Sequence, residues 1–274
     1  MICLTGDIHH ASLNTGNQQH CEISEIQCAQ IYNKMLQQAK VKVTYFISGK
    51  SFAEEWDDLQ QICQSDNVEL GGHNYDCFEH TLWHRIWNKL IDSYNGPRWY
   101  QRRDLRKTAH IIKQKTNRDL QVWRNHMYMH GKNTETILYA GGIKICSDGV
   151  KKESNGLIKH PSGIYNFPLN IIPDHEHLIH AERTPQWIEK WQKRYNWSDD
   201  FGAESYYVEE WTDLVLQQLA ANEKNGVISN LIIHPITLYL CDKFISFQRI
   251  LDFLEAHETI WMSELLSKKE ENDE

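Results

Sequence analysis

Val41-Lys42-Val43-Thr44-Tyr45-Phe46-Ile47-Ser48-Gly49 is an apolar, β-branched run that stops at a Ser-Gly break. It reads as a buried strand, and segments of helical period stand on both sides of it. Upstream, Ser24-Glu25-Ile26-Gln27 has the Ser-x-x-Gln form of a capping box. The helix it starts sets Cys28, Ile31, Tyr32, Met35, Leu36 and Ala39 on one face. Downstream, residues 54–63 read as a helix. Val68-Glu69-Leu70 then reads as a short strand running into Gly71-Gly72-His73.

The same alternation extends outward in both directions. Residues 2–5 read as a strand before the capped helix. After His73 come a helix at 104–116, a strand at 120–123 and a helix at 134–140 that Gly141-Gly142 stops. Strands at 143–146 and 164–169 follow. A helix then opens on Thr184-Pro185, with proline in its first turn, and a long helix covers 205–222. The strongly apolar strand 227–233 ends at His234, and a helix at 245–256 and a last strand at 259–262 close the pattern. Seven or eight β-then-α units without a linker predict an α/β fold, a single distorted (β/α)7-8 barrel over residues 1–266. The charged residues 267–274 are expected as a disordered tail. An open doubly wound sheet is the other arrangement of such units, but neither GxGxxG nor GxxxxGK[ST] is present to favour it.

Composition narrows the function. Lys+Arg 29 against Asp+Glu 37 gives a net charge of -8, and no dense basic run is present. That balance argues against a nucleic-acid-binding surface and equally against an anionic-membrane surface. No apolar run approaches the roughly 20 residues of a transmembrane helix. Residues 1–10 lack a basic leader and meet Asp7 early, so they do not read as a signal peptide, and a cytoplasmic protein is expected. The seven cysteines are odd in number, scattered and without a CxxC pair, which fits reduced thiols. The 15 histidines are the unusual count, and several fall just after predicted strands, where a β/α barrel gathers its chemistry.

Asp7 and His9, two apart on an extended chain end, face one side; the bland alternative is a polar turn. In Gly71-Gly72-His73-Asn74-Tyr75-Asp76-Cys77-Phe78-Glu79-His80, the glycines permit close backbone approach. If a helix follows Asn74, then His73, Cys77, His80 and His84 share a face from which two could ligate one ion; a solvated face is the commoner outcome. Arg124 follows a strand and is placed to hold a carboxylate, with His126 and His130 four apart in the loop beyond it. His234 closes the most apolar strand, and Pro235 biases it to an extended backbone; it is either a working imidazole or a capped core residue. Asp174-His175-Glu176-His177 either lines a cleft or forms a solvated loop. The ten tryptophans are mostly expected to pack, though exposed ones stack on sugars.

In this order the motifs resemble the polysaccharide deacetylase superfamily, carbohydrate esterase family four and its relatives. Leu4-Thr5-Gly6-Asp7-Ile8-His9 resembles the opening strand with its acidic pair, and Val43 to Gly49 the T-F-F-V-x-G strand. Glu69-Leu70-Gly71-Gly72-His73 is similar to E-I-G-x-H, Trp123-Arg124 to the arginine strand, Leu231 to His234 to Leu-x-x-His, and Met262-Ser263-Glu264-Leu265 to the closing Glu-Leu. The resemblance spans nearly the whole chain. It implies a distorted barrel, a general base at Asp7, an arginine at Arg124 that holds it, and a general acid at His234. It also implies one divalent metal ion, Zn2+, on His9 and His73. His9 stands where the family has an acidic ligand, and Cys77 where it has a second histidine. His80 is therefore taken as the third ligand, with Cys77, His126 and His130 as alternatives. The proline after the family's arginine is missing, so His126 and His130 are expected to enter the site as substrate-binding residues. The implied activity is metal-dependent removal of an N-acetyl group from a sugar, with a nucleotide- or lipid-linked precursor as partner. The alternatives are a C–N amidohydrolase on a non-sugar substrate and a catalytically inactive sugar-binding barrel.

Overall fold

The computed structural model describes residues 1–273. Eight strands form one sheet: β1 (Ile2–Ile8), β2 (Val43–Ile47), β3 (Val68–Gly72), β4 (Val122–Trp123), β5 (Ile145–Cys146), β6 (Ile158–Lys159), β7 (Tyr165–Asn166) and β8 (Ser229–Ile232). Their order is β6-β7-β5-β4-β3-β2-β1-β8, parallel except for the β6–β7 pair. Helices cover the outside of this curled sheet. It is a distorted, incompletely closed (β/α) barrel of the predicted class.

Alternation along the strands sorts side chains into two environments. Ile2, Leu4 and Ile8 of β1, Val43, Tyr45 and Ile47 of β2, and Trp123 of β4 face outward into the main core under the helices. Cys3, Phe46, Val122 and Ile145 face inward, where Ile260, Met262 and Leu265 of the C-terminal segment close the bottom of the barrel against them. Above this apolar plug the inward positions turn polar: Thr5 and Asp7 on β1, Arg124 after β4, Ser147 after β5 and Asn230 on β8. The gap between the β7 segment and β8 is spanned by side chains. Asn230 Nδ2 donates to the Phe167 carbonyl at 2.8 Å, and Asn170 Nδ2 to the Ile228 carbonyl at 2.9 Å.

Several elements depart from the sequence pattern. The helix expected at 54–63 is two, Gly49–Glu54 and Trp56–Cys63, broken at Glu55. The helix expected from residue 104 begins at Arg98, and the strand expected at 259–262 is reduced to one bridge between Thr259 and Ile2. Helices Thr81–Ile91 and Pro235–Asp242 had no predicted counterpart. The segment 267–274, expected as a disordered tail, is helical through Asp273 as part of Glu264–Asp273, and Glu274 lies outside the described residues. Buried Leu265 anchors that helix to the barrel plug, and Lys268 pairs with Glu258. No helix among the described residues is long and apolar enough to cross a membrane.

Candidate active site

The register of the parallel strands brings the chemistry to one end. Thr5 pairs with both Thr44 and Ile232, Ile47 with Gly72, Gly72 with Trp123, and Trp123 with Cys146. The residues just past these pairs, Asp7, His9, His73, Arg124, Ser147 and His234, therefore converge. Two glycines make the approach possible. A Cβ on Gly71 would fall 2.5 Å from the Phe46 ring, and one on Gly72 would fall 2.3 Å from the Trp123 ring. Phe46 in turn carries the Arg124 guanidinium, 4.3 Å from its ring centre.

Arg124 is wholly buried and fully engaged. It donates to Asp7 Oδ1 at 2.8 Å, to Thr5 Oγ1 at 2.9 Å, and to the Oγ and carbonyl of Ser147 at 2.8 and 3.0 Å. Burial alone would raise the Asp7 pKa. Arg124, His73 and His234 outweigh it and hold that carboxyl well below the usual carboxylate range. Because Arg124 occupies Oδ1, Oδ2 is the oxygen turned to the histidines, 3.6 Å from His73 Nε2 and 3.8 Å from His234 Nε2.

His9, His73 and His126 form a triangle of imidazoles with ring centres 5.0 to 5.3 Å apart. Each tautomer is fixed from behind where a partner exists. His9 Nδ1 donates to buried Glu25 at 2.7 Å, and His73 Nδ1 donates to the Arg124 carbonyl at 2.9 Å. Both rings therefore leave Nε2 outside these bonds, and His73 presents it unprotonated. His73 Nε2 lies 3.2 Å from His126 Nδ1; two ligands of one tetrahedral ion with bonds of about 2.0–2.1 Å stand about 3.3 Å apart. Burial pushes His73 down to about 3 and His126 well below the ordinary imidazole range, so both are neutral, as ligands must be. One atom from each of His9, His73, Cys77 and His126 lies within 4.8 Å of the others. The Cys77 thiol donates to the His73 carbonyl at 3.4 Å, and burial keeps its pKa well above the usual thiol value. The donor set fits a divalent ion of borderline softness.

Two of the residues expected as ligands lie elsewhere. His80 is exposed at the start of helix Thr81–Ile91, outside the cluster. The helix expected after Asn74 does not form there, because Asn74, Cys77 and Phe78 adopt positive φ and the chain turns instead. His84 is buried and bonds the Tyr94 carbonyl. His130 is half-exposed on Glu135, 2.9 Å away, and does not line the cavity. His126 does enter the site, but as the third imidazole of the triangle. Its backbone N–H is anchored to Asn74 Oδ1, and Met127 and Tyr128 beyond it have positive φ.

Opposite the triangle, His234 has the extended backbone that Pro235 favours and caps helix Pro235–Asp242. Asp174 accepts from its backbone N–H and, at 2.8 Å, from its Nδ1. Burial would lower the His234 pKa, but Asp174, then Asp7 and Glu176, raise it to about 9, so it carries a proton at neutral pH. A cavity of about 250 Å³ separates these groups, lined by Asp7, His9, His126, Tyr128, Glu176 and His234 among others. Glu25 and Asp174 are the supporting residues that sequence reasoning did not assign. Glu25 was read only inside a capping box, and Asp174 only within an unplaced acidic-histidine segment.

Residues 27–143 match the family model for polysaccharide deacetylase. Among solved structures, the fold is similar to a Mycobacterium smegmatis protein assigned as a polysaccharide deacetylase (TM-score 0.70, 14% identity, covering 99% of this chain and 90% of that one). It is also similar to a Pseudomonas aeruginosa PAO1 protein assigned likewise (TM-score 0.64, 10% identity, 95% and 86%). A third likeness is to PuuE allantoinase (TM-score 0.63, 10% identity, 96% and 88%). No curated protein matches the sequence significantly. The family match lies over the central strands, and the likeness to these structures is one of fold.

Proposed function

We propose that the protein is a hydrolase that removes an N-acyl group, acetyl first among them, from a sugar. The observation that carries this reading is the opposition, across one cavity, of a carboxylate held ionised by Arg124 and an imidazolium held protonated by Asp174, beside three convergent imidazoles. His9, His73 and His126 would hold a divalent cation, zinc by the nitrogen donors. Such an ion supplies a Lewis acid that polarises the amide carbonyl and makes water more acidic.

Asp7 Oδ2 takes a proton from the attacking water. The new C–O bond forms at the amide carbon, and the C–N bond then breaks. His234 Nε2 delivers its proton to the departing nitrogen, so an amine leaves rather than an amide anion. Arg124 keeps Asp7 ionised and aimed; Glu25 keeps His9 in the tautomer that exposes Nε2. The seven cysteines are all free thiols, which supports a reducing, cytoplasmic setting.

The test is amine release over N-acetylated monosaccharides, nucleotide sugars, lipid-linked saccharides and non-sugar amides, with Asp7→Asn as control. Release from a saccharide that the control lacks supports the reading. Release only from non-sugar amides transfers it to the amidohydrolase alternative, and silence of metal-loaded protein on every substrate makes the barrel a binder.

A further inference from the structure

Helix Thr81–Ile91 buries a single side chain, His84. Its outer face carries Leu82, Trp83, Ile86 and Leu90, with Leu82 71%, Trp83 58% and Leu90 68% exposed. These positions recur at one to four residues and form one apolar stripe, flanked by Arg85 and Lys89. Trp83 stacks on Trp87 with ring centres 5.9 Å apart.

The next helix, Arg98–Thr116, touches it through one ring pair, His84 and Tyr100, with centres 5.5 Å apart. It exposes Arg98, Arg102, Arg103, Arg106 and Lys107, and its Trp99 is 59% exposed. Its one acid, Asp104, is buried against Asn74. Residues 81–116 hold nine Lys and Arg against two Asp, in a chain whose net charge is -8. The overall charge therefore conceals a local cationic face, and the sequence-level argument against an anionic surface does not hold for it. Asp92, at the C-terminal end of the first helix, is the one exposed acid in this segment.

We infer that the apolar stripe of Thr81–Ile91 and the basic face of Arg98–Thr116 together dock the protein on an anionic lipid surface. Leucine and tryptophan suit the headgroup–acyl boundary, and Arg and Lys suit the lipid charge above it. A water-facing patch of this kind on an isolated domain otherwise has no compensation for its exposed apolar area. The helix that carries the stripe reaches the site from its buried side, where Phe78 contacts both His84 (4.6 Å) and His126 (5.7 Å). A docked molecule therefore meets saccharides carried on a lipid anchor. That second step rests on the amide-hydrolase reading; the docking does not.

The experiment is cosedimentation of the full chain with vesicles of phosphatidylcholine alone, or of phosphatidylcholine and phosphatidylglycerol in equal parts, at low and high salt. Wild-type protein is expected to pellet with the anionic vesicles and to be released by salt. Leu82→Ser with Leu90→Ser, and separately Arg102→Glu with Arg106→Glu, are each expected to weaken binding at least about tenfold. Both pairs are exposed, and amine release from a free saccharide is expected to be unchanged in both. Equal binding to both vesicle types, or wild-type binding by both variants, overturns the inference. So does a dimer in lipid-free solution that Leu82→Ser with Leu90→Ser dissolves, since the face would then belong to a second copy. Vesicle binding without amine release from any saccharide leaves the docking standing and removes the hydrolase reading. Amine release without vesicle binding does the reverse.

Discussion

The Nε2 atom of His73 lies 3.2 Å from the Nδ1 atom of His126, although the two residues leave different strands. His73 Nδ1 is committed to the Arg124 carbonyl, so its Nε2 offers a lone pair. His126 reaches it because no proline follows Arg124 and the loop folds back onto Asn74. Removing any corner of the triangle should therefore remove the metal site. His73→Ala is expected to abolish stoichiometric zinc binding, whereas Glu25→Gln, which loosens only the orientation of His9, is expected to weaken it about 10–100-fold. Elemental analysis of chelator-treated and reloaded protein reads both. A His73→Ala protein that retains one zinc would refute the assignment.

Asp7→Asn keeps the planar shape of the carboxylate toward Arg124 but cannot accept the proton. Turnover is expected to fall about 10²–10⁴-fold, with the circular dichroism spectrum and zinc content unchanged. Undiminished turnover would mean that another group takes the proton from water.

The pH dependence follows from the Asp174–His234 pair. His234 works as an acid only while protonated, and Asp174 raises its pKa to about 9. Activity should accordingly be lost as pH rises through that region. Asp174→Asn removes the attraction, lowers the His234 pKa and moves the alkaline limb to lower pH, whereas a purely structural Asp174 would lower the rate without moving the limb. His234→Ala should eliminate that limb and slow amides far more than esters, because an alkoxide leaves with less help. Equal losses on the two substrate types would return His234 to a capping role.

Gly72 has no room for a side chain, since a Cβ would meet the Trp123 ring at 2.3 Å. Gly72→Ala should cost about 1–3 kcal/mol through displacement of that ring. Urea unfolding measures it as a lower midpoint at unchanged slope; an unshifted midpoint would show that the strand gives way without strain.

The strand-borne part of this site was legible in the sequence. Asp7, His9, His73, Arg124 and His234 each stand immediately past or at the end of an apolar run, and parallel register carries such positions to one end of a barrel. The loop-borne part was not. His126, an alternative for the third ligand, stands in the cluster and His80 does not, because Cys77, Phe78, Met127 and Tyr128 take positive φ without being glycine, a conformation that leaves no compositional trace. Glu25 and Asp174 are remote in sequence from the histidines they orient, 16 and 60 residues away. Helix Thr81–Ile91 escaped notice because its apolar residues face outward and mark no core.

The central claim, that three imidazoles converge on one divalent ion, is tested most directly by calorimetric titration of zinc into chelator-stripped protein. The account predicts one equivalent of tight binding, loss of that binding in His126→Ala, and no change in His80→Ala. Absence of binding in the wild type, or a His126→Ala isotherm that overlays it, would contradict the account.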